Sequence, residues 1–439
     1  MFQKYSSIHF IGIGGSGISA LAYMALAEGK RVTGSDRGMS AVTESLKTEG
    51  AQIFDVQKRG NLGQAALVIY TEAIERTSNP EYLEAQEKEI ECISYFEALG
   101  RLSKTKKTIA VIGTHGKTTT TAMLGQALIH ADADPTVIVG TRVPAFSNKN
   151  IRIGKSDILV AEACEYRRSF MSLQPFGIVL LNCEADHLDY YKNEADYVHA
   201  FMELVSKLPE DGFLVFNKED ENAVKISGVY KGKKIGIDMT YAKELNLNLK
   251  VAGAFNVLNA AHAFSGAQEL STTALKHYST KALRSGLENF SGTARRMEVK
   301  GSINDVTVID DYGHHPTEIR VTLGAIRQKY PKQKIICVFQ PHQYSRTHKL
   351  IEGFKTAFGD ADMVIIPNIF EARDSKEDKA LVSAESLVKA IGESHKDARW
   401  GENFEKTLQM VKDEAKGGDI VVTMGAGDVY KIGEEYIKP

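Results

Sequence analysis

The stretch Thr108-Ile-Ala-Val-Ile-Gly-Thr-His-Gly-Lys-Thr-Thr-Thr-Thr121 constrains this chain more tightly than any other part of it. Ile109 to Ile112 is an apolar run rich in β-branched residues, which suits a buried strand, and the threonines after Lys117 open a helix. Between them Gly113 and Gly116 turn the backbone so that its N–H groups face an anion at the helix start. Lys117 adds a cation, and Thr118 offers a hydroxyl to Mg²⁺. Such a turn is a cradle for a nucleoside triphosphate. The general phosphate-loop pattern places its first glycine where Val111 stands, so this loop is a shortened variant. A bare strand-to-helix turn accounts for the glycines but leaves the lysine and threonine in register unexplained.

A chain of 439 residues, 43% of them hydrophobic, is long enough for several packed cores, about three at a typical domain size. Its net charge of -2 gives no electrostatic reason to expect nucleic acid or an acidic membrane as the main partner. The ligands expected are therefore small molecules. Cys92, Cys164, Cys183 and Cys337 show no paired spacing and are expected to be reduced core thiols. No basic start leads into an apolar signal segment, and no apolar run approaches the roughly 20 residues that span a bilayer, so a cytoplasmic location without membrane insertion is expected. Nothing in the sequence sets the oligomeric state.

Strand-like runs at Ser7 to Ile13, Arg31 to Gly34 and Ala66 to Tyr70 alternate with helical stretches such as Ile18 to Glu28, the rhythm of a parallel sheet. The polar, basic Arg101-Leu-Ser-Lys-Thr-Lys-Lys107 precedes the phosphate-loop strand and marks a boundary. A second βα series reaches about Asn289, with strands at Asp157 to Ala161 and Gly177 to Leu181. A third restarts beyond Arg296 at Val306 to Ile309, Lys334 to Phe339, Met363 to Ile366 and Asp419 to Thr423. The expected fold is α/β in three domains, 1–103, 104–292 and 293–439. The first and third are Rossmann-like, and the central one is P-loop ATPase-like with a mostly parallel sheet.

The first strand runs into Gly12-Ile-Gly14-Gly15-Ser16-Gly17, and Asp36 stands 19 residues after Gly17 at the end of the next strand. Taken alone this reads as a dinucleotide site, with a tight βα turn that holds no ligand as the alternative: the glycines let a pyrophosphate approach the helix, and the acid can bind a ribose hydroxyl. A dinucleotide and a nucleotide-diphosphate sugar satisfy that geometry equally. A dehydrogenase, however, leaves the second, magnesium-ready loop without a use.

In the central part, Glu162-Ala-Cys-Glu165-Tyr-Arg167-Arg168 and Asn182-Cys-Glu-Ala-Asp186-His187-Leu-Asp189 each follow an apolar strand, where side chains reach the ligand crevice. Glu162, His187 and Thr118 could share metal ions, although magnesium's preference for oxygen ranks Asp186 or Asp189 above the histidine. Arg167 and Arg168 fit an anion contact or a solvated helix start equally. The adjacent His314 and His315 point in different directions and make a poor zinc pair.

At these residues the chain resembles the Mur ligase family of peptidoglycan synthesis, along its whole length. The resemblance is carried by His9-Phe-Ile-Gly-Ile-Gly-Gly-Ser-Gly17, Gly113-Thr-His-Gly-Lys-Thr-Thr-Thr120, Glu162-Ala-Cys-Glu165, Glu184-Ala-Asp-His187, Asn256-Val-Leu-Asn259 and Arg295-Arg296. Asp310-Asp-Tyr-Gly-His-His-Pro-Thr-Glu318, Gln340-Pro-His342 and Gly425-Ala-Gly427 extend it. It implies a domain for a UDP-sugar, a central ATPase-like domain, and a C-terminal domain that closes over the site and takes an amino acid. Gly14, Gly15, Ser16, Gly17 and Asp36 would then serve the UDP-sugar. Gly113, Thr114, His115, Gly116, Lys117, Thr118 and Thr119 would form the ATP loop, with Lys117 on the β- and γ-phosphates. Thr118 and Glu162 would hold a first Mg²⁺ and His187 a second. Asn259 would contact adenine, Asp311 the ribose and Arg296 the γ-phosphate, while His342 and Arg346 would face the substrate carboxylate and the transferring phosphoryl group. Phe255 stands where the family usually carries histidine, and Gln343 where arginine is expected.

The activity so implied is an ATP- and Mg²⁺-dependent ligation in peptidoglycan precursor synthesis. It joins L-alanine to the lactyl carboxylate of UDP-N-acetylmuramate through an acyl phosphate. A ligase that returns a recycled tripeptide to the same sugar nucleotide shares most of these motifs. An NAD-dependent oxidoreductase or a non-catalytic nucleotide-binding regulator would leave Lys117, Thr118, Glu162 and His187 without a purpose.

Overall fold

Three separate sheets carry the chain, each assembled from βα units, as alternating apolar runs and helices require. The computed structural model describes residues 1–187, 189–273, 277–372 and 374–438. The first sheet has five parallel strands in the order Gln52–Phe54, Arg31–Ser35, Ser7–Ile11, Leu67–Tyr70, Glu91–Ser94. Its central strands Ser7–Ile11 and Leu67–Tyr70 are buried at every position, because helices cover both faces. The first strand stops at Ile11, short of the expected Ile13, since Gly12 already turns away with φ +79°. Helix Ser16–Ala27 then begins two residues before the expected Ile18.

The second sheet has seven strands in the order Lys233–Ile237, Phe213–Asn217, Gly177–Leu180, Lys107–Ile112, Ile158–Glu162, Thr136–Val143, Lys149–Arg152. All pair in parallel except the last two, which form an antiparallel edge. The chain lays down Lys107–Ile112 first and later strands on both sides of it. The crevice beyond the C-terminal ends of these central strands is the natural ligand position in such a sheet. The third sheet runs Glu298–Ile303, Val306–Asp311, Ile420–Met424, Ile335–Phe339, Met363–Ile366, Ala398–Trp400, with only its first pair antiparallel.

The chain divides into two compact units. One comprises Met1–Ala185, Glu194–Asn248 and Leu258–Phe290, and holds the first two sheets. Within it the sheets are tied by side chains and by close backbone approach. Asn150 Nδ2 donates to Ser16 O and, at 3.1 Å, to Ser19 Oγ, and Lys149 pairs with Glu49. Gly100 meets the turn at Ser172 so closely that a Cβ would lie 2.5 Å from its carbonyl oxygen. The other unit comprises Asp186–Asn193, Leu249–Val257 and Ser291–Pro439, around the third sheet. Its core of Ile319, Leu323, Phe339, Phe354, Phe358 and Val422 packs helices onto one face of that sheet. All four cysteines are free thiols, as expected.

Candidate active site

The loop after Lys107–Ile112 turns at Gly113, with φ +142°, and again at Gly116, with φ +82°, before helix Lys117–His130 begins. Both glycines are required twice over, by that left-handed backbone and by their neighbours. A Cβ on Gly113 would lie 3.1 Å from the carbonyl oxygen of Asn182, and one on Gly116 would lie 2.8 Å from Asn259 Oδ1. Asn259, the expected adenine contact, is therefore packed against the loop's second glycine.

The strand end at Asn182 clamps the loop. Asn182 Oδ1 accepts from His115 N at 2.8 Å and its Nδ2 donates to His115 O at 3.1 Å, so its side chain pairs with both backbone polar groups of one residue. Thr114 Oγ1 donates to Glu184 O at 2.7 Å, Glu184 N donates to Thr114 Oγ1 at 3.0 Å, and the Tyr197 hydroxyl lies 3.0 Å away. His115 Nε2 lies 2.9 Å from the Glu184 carboxylate. Asn182 lies in the polar run expected at the crevice but had no role of its own there, and Tyr197 was not among the residues expected at the site. Asn182 carried a readable signal, as the first polar residue after an apolar strand; Tyr197 carried none, being one apolar-face residue of helix Glu194–Val205.

Glu162, the last residue of strand Ile158–Glu162, lies beside Val111 in register and so next to the loop. Its Oε1 accepts from Thr118 Oγ1 at 2.9 Å and its Oε2 from Gly140 N at 2.6 Å. Gly140 allows that approach, since a Cβ there would sit 2.8 Å from Oε1. A hydroxyl oxygen and a carboxylate oxygen thus converge at the helix start, the hard donor set that magnesium takes. Lys117 points back into the loop. Its Nζ donates to Gly113 O, to Thr114 O at 3.1 Å and to Glu165 at 2.9 Å. Burial alone would lower its pKa, but the charge and hydrogen bond of Glu165 outweigh that and hold the ammonium above its ordinary value. Cys164 beside it is pushed up to about 12 by burial and stays a thiol. Arg168 pairs with Glu203 and, at 3.8 Å, with Asp196.

At the N-terminal loop, Gly12 N and Ile13 N donate to Ser35 O, Gly15 N donates to Gly12 O, and Gly14 N donates to Asp36 Oδ2 at 2.7 Å. Asp36 Oδ1 accepts from Arg37 N at 2.7 Å. The acid expected at a ribose hydroxyl is thus already shaping the loop. Ser16 and Gly17 open the helix, and Gly15 as N-cap has no side chain to offer. Gly17 is pressed against Tyr95, whose Cζ would be 2.5 Å from a Cβ. Beneath the loop a fully buried Glu81 accepts from Ser35 Oγ at 2.5 Å and from Asn61 Nδ2 at 2.6 Å, with His9 Nε2 at 3.5 Å.

The remaining expected residues belong to the second unit. Asp311 ends strand Val306–Asp311, accepts from Met297 N at 2.8 Å and Gly313 N at 2.7 Å, and is pushed up to about 6 by burial against the opposing pull of Arg296. The two arginines divide their work. Arg295 is tied down by Asp310 at 3.0 Å and by the carbonyls of Gly425 at 2.7 Å and Gly427 at 3.1 Å. Arg296 lies over the Tyr312 ring with Glu318 3.9 Å away. His342 stacks on Phe370 and meets His314 edge-on at 5.9 Å. Burial, with the charge of Arg346, pushes His314 below its ordinary value. His315 is a helix cap: its Nδ1 accepts from Thr317 N at 3.3 Å at the start of helix Pro316–Lys329.

Arg346 forms an ion pair with Asp186, whose carboxyl burial would raise but which this guanidinium holds well below the usual range. Asp186, which magnesium's oxygen preference ranked above His187, is engaged by Arg346 and by His187 N at 2.6 Å. Gln343, where arginine was expected, lies buried at a left-handed φ of +68°, and its Nε2 donates to Ala372 O at 2.8 Å. A neutral amide satisfies that carbonyl without burying a charge.

The "Mur ligase family, catalytic domain" model matches residues 7–107, the "Mur ligase middle domain" 111–239, and the "Mur ligase, glutamate ligase domain" 295–427. A UDP-N-acetylmuramate--L-alanine ligase of Clostridium botulinum (strain Langeland) is 39% identical over 460 residues, spanning 99% of this chain and 98% of the relative. The chain belongs to the Mur ligase family. Among solved structures, the UDP-N-acetylmuramate-alanine ligase MurC of Thermotoga maritima superimposes on this Mur ligase with a TM-score of 0.81 at 25% identity, covering 98% of each chain. A murein peptide ligase of Psychrobacter arcticus gives 0.71 at 23% identity over 98% of each, a likeness of fold alone. Among the described residues of this Mur ligase, no helix is long and apolar enough to cross a membrane.

Proposed function

We propose that this Mur ligase joins L-alanine to the lactyl carboxylate of UDP-N-acetylmuramate with hydrolysis of ATP to ADP and phosphate. The observation that carries the reading is the convergence of Lys117, Thr118 and Glu162 at one helix start. That arrangement occurs in a chain with a relative of that name matched end to end. In this reading residues 1–103 take the UDP-sugar, 104–292 take ATP and 293–439 the amino acid, and the reaction runs in the cytoplasm where both nucleotides are found.

A carboxylate is a poor electrophile. Transfer of the γ-phosphoryl group to one of its oxygens makes an acyl phosphate, and the neutral amine of L-alanine then attacks the carbonyl carbon. The tetrahedral species expels phosphate and leaves the amide. The protein's part is positioning and charge neutralisation. Lys117 takes the β- and γ-phosphates at the helix N-terminus, Arg296 meets the γ-phosphate, Asn259 the adenine and Asp311 the ribose. His342 and Arg346 face the carboxylate and the transferring group. Thr118 and Glu162 would hold one Mg²⁺ and His187 a second, and bound magnesium supplies further neutralisation of the transferring group.

Phosphate release and product mass, measured with MgATP, UDP-N-acetylmuramate and in turn L-alanine, glycine, L-serine and a tripeptide, test the assignment. L-Alanine is expected to give the fastest turnover. Turnover with the tripeptide and none with L-alanine overturns the amino-acid assignment. With ¹⁸O in the sugar carboxylate, one label is expected in the released phosphate; phosphate free of label overturns the acyl phosphate.

A further inference from the structure

Lys117 presents its donors to two loop carbonyls and one carboxylate. An ammonium has three N–H groups, and here they meet Gly113 O, Thr114 O at 3.1 Å and a Glu165 carboxylate with both oxygens 2.9 Å away. Glu165 is 2% exposed, and the Tyr197 hydroxyl approaches it at 3.5 Å while touching Thr114. Two carboxylates on one strand exit thus take the first two side chains of the helix: Glu162 takes Thr118, and Glu165 takes Lys117. They are not equivalent. Glu162 brings its oxygen to a hydroxyl, so a cation can bridge the pair, whereas Glu165 neutralises the charge that a triphosphate needs.

We propose that Glu165 is a positioning residue that holds Lys117 folded back into the loop, so that a nucleotide must draw the lysine away before its β- and γ-phosphates are seated. The inference rests on the reading of this loop as the ATP site. Its consequence is thermodynamic. The apparent dissociation constant is the intrinsic one divided by the fraction of molecules with Lys117 released, and a buried ion pair at 2.9 Å keeps that fraction small. Removing the carboxylate charge therefore tightens nucleotide binding. A residue that only supports the loop does the opposite, because its loss loosens the cradle.

The sign of the effect is the test. Calorimetric titration of the full chain with MgATP, MgADP and AMP compares wild type with Glu165→Gln, which keeps the shape and one acceptor oxygen. Binding of MgATP and MgADP is expected to tighten about three- to tenfold, since a charge-assisted hydrogen bond is roughly twice as strong as a neutral one. AMP, which does not reach Lys117, is expected to bind unchanged. KM for ATP falls in the same proportion, while KM for the sugar nucleotide stays. Glu165→Asp keeps the charge but shortens the reach, and is expected to fall between wild type and Gln; it also serves if the Gln variant does not fold. Equal or weaker MgATP binding in both variants, with wild type binding normally, overturns the proposal alone. AMP tightening as much as ATP overturns it too. A wild-type chain that binds no nucleotide overturns the ATP reading and this inference with it.

Discussion

Two glycine turns stand at the ends of two parallel strands in this molecule, and they are built to different ends. Both helices begin at a glycine N-cap, Gly15 and Gly116; at Gly12–Gly17 the loop amides donate to Ser35, Gly12 and Asp36, and Tyr95 presses on Gly17. At Gly113–Thr118 the loop is clamped from outside by Asn182 and Glu184, and each of the first two helical side chains meets a carboxylate. The first turn offers shape and a helix dipole, enough for a diphosphate that is only held. The second adds a cation and oxygen donors, as a phosphoryl group needs when it is transferred. In the proposed reading the backbone motif makes an anion site, and Lys117 at the helix start together with Glu162 at a neighbouring strand end makes it reactive.

That contrast breaks most directly at Lys117. Lys117→Ala is expected to lower phosphate release by at least roughly 10³-fold with the fold retained, and turnover within tenfold of wild type would remove the second turn from the chemistry. Glu162→Ala is expected to raise the Mg²⁺ requirement and lower the rate together, by on the order of 10²-fold, because a bound metal contributes several kcal/mol of charge stabilisation. An unchanged magnesium titration in that variant argues that the carboxylate serves only Thr118 and Gly140.

Substitutions in the first turn should touch binding rather than chemistry. Gly17→Ala places a Cβ 2.5 Å from the Tyr95 ring. The overpacking, typically about 1–3 kcal/mol, is expected to raise KM for UDP-N-acetylmuramate about tenfold and to leave KM for ATP alone. Asp36→Asn keeps an oxygen for Gly14 N and is expected to cost only about threefold in the same constant, the scale of one weakened hydrogen bond. Calorimetry with NADH on the wild type sharpens the comparison further. Tight NADH binding without binding of the sugar nucleotide would turn the first turn back into a dinucleotide site.

Much of this was legible along the chain. The three α/β series, the strand runs to within a residue or two, and both glycine turns follow from apolar periodicity and from glycine, lysine and threonine at fixed offsets. What the sequence left out has a common form. Asp36 was read from its spacing as an acid for a ribose hydroxyl, and in the fold it also accepts from Gly14 N. Asp186 looked like the better metal ligand because magnesium prefers oxygen, yet Arg346 holds it. Arg295 and Arg296 are neighbours in sequence, but one braces Gly425 and Gly427 while the other lies over Tyr312. In each case the residue's chemistry was read correctly and its partner was not visible.

The reason is one of range. Strand, turn and helix start depend on a residue and those a few places away, so their pattern is written locally in the 439 residues. Charge pairing depends on which strand ends converge and how deeply they are buried. Lys117 and Glu165 are 48 positions apart, Thr118 and Glu162 44, Arg346 and Asp186 160. Periodicity does not encode such pairings. Packed sheets bring these groups together and exclude water around them, and that packing settles which carboxylate restrains the lysine, which stands ready for a cation, and which is consumed by an arginine.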